Sequence, residues 1–111
     1  RALDTVYGNG SGRTMQVTVT VLLQVYKAAS ATISGISYAE AHVDTDNPPA
    51  TIVSKVLKSL SLYDVDVGDR NAYDEFCMTF IVPPGYNYKI VTGQTGDGQA
   101  PVLYYWTEWL L

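Results

Sequence analysis

The chain of 111 residues is long enough for one domain with a sizeable core and too short for two independent cores. Because 47% of its residues are hydrophobic and only 16% are charged, the composition excludes a disordered chain. The net charge of −4, with dispersed Lys and Arg, argues against a nucleic-acid partner because such a field repels phosphate. No leader-like or membrane-spanning apolar segment is seen, so we expect a protein that is not membrane-embedded.

The first predicted element is a hairpin. From Met15 to Val25 every second side chain is apolar, which is typical of a strand with one buried face. The preceding GNGSG supplies residues that tolerate positive φ, as a tight turn between antiparallel strands requires. We therefore predict that residues 2–7 and 14–27 pair as antiparallel strands.

Further β-rich segments follow at short intervals, separated by turn-forming clusters such as DTDNPP, VGDRN and TGQTGDGQ. These predicted strands are residues 31–34, 36–43, 62–67, 75–82, 86–92 and 102–110. Many short strands with Gly, Pro and Asn between them predict the all-β class, as an antiparallel β-sandwich of about seven or eight strands.

The segment at residues 50–61 fits two structures. Its apolar residues recur with the spacing of a helix, and the prolines before it are typical of a helix start. Ile52, Val56 and Leu60 also share one face of a strand. A short helix and a strand both stay open here.

The stretch FIVPPGYNYKI predicts a second hairpin. Prolines fix φ and cannot donate to a sheet ladder, and Gly85 can take the positive φ of a type II turn. Just before it, Cys77 lies among apolar residues in FCMTFIV, which predicts a buried thiol. As a single cysteine it cannot form an intramolecular disulfide.

Residues with catalytic or metal-binding chemistry are few. His42 and Glu40 share a strand face, but zinc needs three or four ligands and no second histidine exists, so we interpret His42 as a surface residue. Asp64, Asp66 and Asp69 resemble the start of a calcium loop, yet the bidentate Glu of an EF-hand is missing. We therefore predict no catalytic residues, no metal site and no cofactor.

The tyrosines are the remaining candidates for a functional surface. Nine tyrosines are present, and several flank predicted turns, where a rigid ring with a hydroxyl suits contacts with sugars and protein loops. Loops carry side chains that can vary at little cost to the fold. The candidate ligand-binding residues are Arg70, Asn71, Tyr73, Tyr86, Gln94 and Asp97.

Three motifs then occur in order. The opening YGNGSGRTMQVTVTV, the stretch FIVPPGYNYKI and the closing WTEW together resemble the C-terminal tip domains of tailed-bacteriophage tail fibres. The chain departs from that pattern at Thr14, where such domains commonly carry Pro after Gly-Arg, and residues 28–74 are not covered.

The resemblance implies a single β-sandwich domain over residues 1–111, forming the C-terminal piece of a longer fibre protein in the virion. It implies a non-enzymatic homotrimer that attaches to a bacterial cell-surface receptor, either a polysaccharide or an outer-membrane protein. The apolar side chains of Trp106, Trp109, Leu110 and Leu111 agree, because a partner subunit would cover them. Two alternatives stay open: a structural domain that caps the fibre trimer, and a carbohydrate-binding β-sandwich module.

Overall fold

The computed structural model describes residues 1–111, except for the side chain of Val65. Its described elements are five antiparallel strands and no helix, so the all-β class is confirmed. The strands are β1 (Tyr7–Gly8), β2 (Met15–Asp44), β3 (Ile52–Val82), β4 (Asn87–Gly96) and β5 (Val102–Leu110). They are fewer and longer than predicted, because β2 and β3 run for 30 and 31 residues through segments that the turn signals divide.

The two long strands form one ribbon. β2 and β3 pair from Met15 opposite Val82 to His42 opposite Ile52. The register shifts between Lys27 and Thr32, where the regular alternation of buried and exposed residues also stops. The ribbon therefore has two regular halves joined by an irregular stretch.

The ribbon is folded back so that its halves face each other. The N–H of Asp97 donates to the carbonyl of Ser34 at 2.9 Å, and the carbonyl of Asp97 accepts the N–H of Tyr26 at 3.1 Å. Lys58 Nζ also reaches Asp74 Oδ2 at 2.7 Å across the two halves of β3. Residues far apart along the ribbon are thus close in space.

The fold-back creates two layers of one continuous sheet. The first layer contains residues 15–27 and 70–82 of the ribbon, extended by β5 on the free edge of β2. The second layer contains residues 32–44 and 52–63, extended by β4 and then by β1. We call the end where the ribbon folds, residues 27–32 and 63–70, the tip, and the opposite end the base. The molecule measures 58 × 22 × 17 Å.

The core lies between the layers. β2 contributes every second residue, so that Val17, Val19 and Val21 are fully buried from the first layer and the smaller Ala39 and Ala41 from the second. The other strands complete the core with Met78, Phe80, Val82, Tyr88 and Ile90. Each fully buried Val or Ile side chain contributes roughly 1.5–3 kcal/mol.

The helix considered for residues 50–61 is wrong. This segment belongs to β3 and pairs with β2, with Lys55 opposite Glu40 and Leu57 opposite Tyr38. Its side chains alternate, Val56 being half-buried against the core and Leu57 exposed. Ladder hydrogen bonds to the long partner strand decide against the helix, because apolar spacing alone fits both structures.

The predicted N-terminal hairpin is also wrong. β1 is two residues long and pairs with β4, with Tyr7 opposite Tyr88, rather than with β2. The reason is Asn9, which is 3% exposed and whose Nδ2 donates to the carbonyls of Arg13 at 2.8 Å and Val82 at 2.9 Å. The glycine-rich segment therefore wraps around a buried amide instead of forming a tight turn.

The second predicted hairpin is wrong in its pairing and right in its turn. Residues 70–82 of β3 lie in the first layer and β4 in the second, and β4 pairs with β2 and β1. The N–H of Tyr86 donates to the carbonyl of Pro83 at 3.2 Å, and Gly85 has φ of 80°, which together define a type II turn. The turn carries the chain from the first layer to the second.

Cys77 is exposed, so the predicted buried thiol is wrong. Met78 and Phe80 fill the core from the same strand, and the strand period of two places Cys77 on the outer face of the first layer. Neighbouring residues of a strand point to opposite faces of the sheet, so the apolar neighbours of Cys77 in sequence do not bury it.

Candidate functional site

Three of the predicted ligand-binding residues lie together on β3 beside the tip. Arg70, Asn71 and Tyr73 stand opposite Lys27, Tyr26 and Gln24, in a strand rather than in a loop. The Tyr73 side chain is 61% exposed, so its ring is free to contact a partner.

The side chain of Arg70 fixes the tip. Its Nε donates to the carbonyl of Ser30 at 3.1 Å, and its Nη2 donates to the carbonyl of Asp66. Its Nη1 lies 3.6 Å from Asp64 Oδ2. Arg70 therefore cross-links the two strands of the ribbon, which makes it a structural residue as well as a candidate contact.

Asp97 also lies toward the tip. Its Oδ2 accepts the N–H of Ser34 at 3.0 Å, and it lines a groove of about 390 Å³ together with Lys27 and Tyr63. Gln94 is exposed farther along β4, opposite Ser37, and does not line this groove.

Tyr86 lies at the opposite end of the molecule from Arg70, Asn71 and Tyr73. It ends the type II turn at the base, where its carbonyl accepts the N–H of Asn9 at 2.9 Å. Its half-buried ring packs against the core. The proximity of Tyr86 to a proline turn gave no information on which end of the molecule that turn occupies.

Sequence reasoning missed a depression along the second layer. Two adjoining grooves of about 290 and 390 Å³ share Ser34 and Ser61, and we call them together the trough. Its lining includes Ser34, Ser59, Ser61, Tyr63, Thr95 and Asp97. The sequence feature that could have indicated this depression is the alternation of serines in ISGIS and SLS, which places small hydroxyl side chains on one strand face.

Tyrosine rings stand near both ends of the trough. Tyr63, opposite Thr32, is 73% exposed on the side of the tip. Toward the base, the ring of Tyr38 lies so close over Gly93 that a Cβ there would be 2.3 Å from it. Six strand residues separate Thr32 from Tyr38, which corresponds to about 20 Å.

His42 and Glu40 share the outer face of the second layer, as predicted. His42 Nε2 lies 3.4 Å from Glu40 Oε1, and Lys55 Nζ lies 3.3 Å from Glu40 Oε2 and 5.0 Å above the Tyr38 ring. His42 is half-buried rather than fully exposed. Among the described residues, no group of three or more His, Cys, Asp or Glu is arranged to hold a metal ion.

The aspartates of the calcium-like stretch accept hydrogen bonds from backbone N–H groups of the protein. Asp64 Oδ1 accepts the N–H of Asp66 at 3.2 Å, and Asp69 Oδ1 accepts the N–H of Ala29 at 3.0 Å. These carboxylates order the irregular backbone at the tip.

A carboxylate cluster at the base was not predicted either. Glu108 points inward from β5 and accepts hydrogen bonds from Arg1 Nε at 2.6 Å, Trp106 Nε1 at 2.9 Å and the Tyr88 hydroxyl at 3.0 Å. Burial opposes ionisation of Glu108, but these hydrogen bonds outweigh it and lower its pKa. Burial and the hydrogen bond to Glu108 raise the pKa of Tyr88. The cluster thus joins β5 to β4 and to residue 1.

An apolar patch covers the outer face of the first layer near the base. Ile81 and Trp109 flank Gln16 in one row of the sheet, and Tyr105 lies opposite Thr20. The exposed fractions are 46% for Ile81, 63% for Trp109 and 69% for Tyr105. Leu111 extends this patch, whereas Leu110 stands opposite the buried Met15 and so lies on the inner side of β5. Trp106 is half-buried against the core, contrary to the expectation of an exposed apolar group.

The fold and its surfaces define an elongated, all-β, antiparallel protein with aromatic side chains at its tip and an apolar patch at its base. Comparisons with models of protein families, with curated proteins and with solved structures found no match. The described part of the chain contains no helix that is long and apolar enough to cross a membrane.

Proposed function

We propose that this protein is a non-enzymatic receptor-binding tip domain of a phage tail fibre, which attaches the virion to the bacterial host surface. The observation that carries this proposal is a group of exposed large side chains at and beside the tip. Tyr63, Val67 and Tyr73 are exposed by 73%, 69% and 61%. Apolar surface left open in this way is typical of interaction sites.

The shape of the molecule supports the same function. Arg1 contacts Glu108, and the N–H of Leu111 donates to the carbonyl of Thr14, so both residue 1 and residue 111 lie toward the base. The tip is the end farthest from them. The paired ribbon supplies a rigid support for the side chains at the tip, which is the arrangement that recognition surfaces use.

Attachment is tested with the labelled domain on a panel of bacterial strains. We expect Tyr73→Ala and Gln94→Ala to reduce adsorption to a host strain severalfold, because an exposed ring or amide contributes contacts while stability changes by less than about 0.5 kcal/mol. Ile52→Ala is the matched control, since Ile52 is an exposed apolar residue near the base. Absence of adsorption to every strain, in a folded domain, would overturn the proposed function.

We also propose that the domain is a homotrimer whose subunits meet through the apolar patch. Large apolar side chains such as Trp109 and Tyr105 are costly to leave in water, and burying them gains about 25 cal/mol per Å². This observation favours the alternative role of a trimer-capping structural domain equally well. A stable trimer that adsorbs to no strain would point to that role.

Sedimentation at micromolar concentration tests the trimer. We expect a species of about 36 kDa, three times the 12.1 kDa of the chain, and a shift of Trp109→Ser toward the single chain. Tyr63→Ser removes a similarly exposed aromatic ring at the tip and should leave the trimer intact. A 12 kDa species alone for the unmodified chain would contradict the prediction.

A further inference from the structure

We infer that the trough binds an uncharged oligosaccharide. This inference rests on the proposed function, for which it names the chemical class of the receptor. The trough is a concave surface whose lining combines the hydroxyl groups of serines and Thr95 with apolar atoms of Ile36 and Leu60. Concave sites with a few directed polar groups are typical of small-ligand recognition.

The floor of the trough suits sugar hydroxyls. Ser59 and Thr95 both line the same groove, near Ile36 on the central strand, and Ser34 stands opposite Ser61. Each hydroxyl can donate one hydrogen bond and accept two, and it can rotate to match a partner. Such a row can pair with the many hydroxyls of a sugar chain without a fixed donor pattern.

Tyr63 supplies the apolar contact. Its ring is 73% exposed where the trough reaches the tip, and it can cover the apolar face of a sugar ring while its hydroxyl stays in water. The aromatic ring at one end and the hydroxyl floor beside it are the two kinds of contact that a pyranose needs.

The charges match a ligand without net charge. Lys27 and Asp97 both line the tip-side end of the trough, so that one positive and one negative side chain face the same space. The chain as a whole carries a net charge of −4, which opposes polyanions. Acidic capsules, phosphorylated glycans and nucleic acids are therefore disfavoured as occupants.

A peptide fits this surface less well. A peptide strand would add to the free edge of β3, beside the sheet face, and would therefore not lie over the row of hydroxyl side chains.

The test uses the full chain on an array of immobilised oligosaccharides, with neutral hexose and N-acetylhexosamine oligomers beside uronate-containing and phosphorylated ones. We expect binding to a neutral oligomer and not to the acidic ones. Tyr63→Ala should weaken that binding about tenfold, and Ser61→Phe should abolish it by filling the trough. Ile52→Phe, an outward substitution on the same strand, is the control and should bind like the unmodified chain.

The outcomes separate the two proposals. If the free neutral oligomer competes with host cells for the domain, both the inference and the proposed function are supported. If the domain adsorbs to cells but binds no neutral oligomer, or if Tyr63→Ala and Ser61→Phe bind the oligomer unchanged, the inference is overturned and the proposed function stands. Melting curves show whether Ser61→Phe is folded, and Tyr63→Ala carries the test if it is not.

Discussion

Replacing Gly98 by valine is expected to lower the free energy of unfolding by about 3 kcal/mol or more. Gly98 is buried where the chain passes between the two layers, and a Cβ at this position would lie 2.0 Å from the carbonyl oxygen of Ile36. A Cβ at Gly35 would likewise lie 2.4 Å from the backbone nitrogen of Gly98. Because the obstacles are backbone atoms of paired strands, no side-chain rotation relieves the clash.

Denaturant unfolding of the purified domain measures this effect. Gly10→Ala is the matched control, because nothing lies within 4 Å of a Cβ built there, and we expect a change of less than about 0.5 kcal/mol. Equal stability of the Gly98→Val and Gly10→Ala variants would mean that the layers are not held together at this crossing.

The strands with strong local signals could be predicted from the sequence. The apolar alternation from Met15 to Val25 correctly gives the buried face of β2, and the predicted strand at residues 102–110 coincides with β5. The class follows from such segments, because a strand period of two leaves few alternatives when it is repeated along the chain.

The continuity and pairing of the strands could not be predicted. Gly35 and Gly68 look like turn residues, yet both lie inside the 30- and 31-residue strands, where pairing across the ribbon overrides the local preference. The partner of β1 is determined by the buried amide of Asn9, whose acceptors include the carbonyl of Val82, 73 residues away. Contacts between residues so far apart in the sequence produce no periodic pattern from which they could be predicted.

The candidate site could likewise be predicted only where its residues are close together in the sequence. Arg70, Asn71 and Tyr73 are neighbours in sequence, so their grouping follows from the chain itself. The trough draws residues from β2, β3 and β4, and each contributes a small side chain that is unremarkable alone. Only the register of three strands brings Ser34, Ser61 and Thr95 to one surface.

Substitution of Glu108 by alanine is expected to lower the free energy of unfolding by about 2–3 kcal/mol. The side chain of Glu108 is 20% exposed, and its carboxylate is the acceptor for the Trp106 Nε1–H and for the Tyr88 hydroxyl, whose residue is fully buried. Without it, both donors lose their acceptor in a partly buried place. Glu75→Ala, at an exposed position of β3, is the control and should change stability by less than about 0.5 kcal/mol.

The pH dependence of stability distinguishes the charge of Glu108 from its shape. Hydrogen bonds from Arg1, Trp106 and Tyr88 hold its folded pKa below the ordinary value of 4.5, so the folded state favours the ionised form. This contribution is complete at pH values well above 4.5 and is lost as the pH falls toward the lowered pKa. We therefore expect Glu108→Gln to be less stable than the unmodified domain at pH 7, with a difference that narrows on acidification to pH 3. Thermal melts of the two proteins across this range test the prediction, and a constant or widening difference toward low pH would show that the carboxylate charge contributes nothing to the base of the fold.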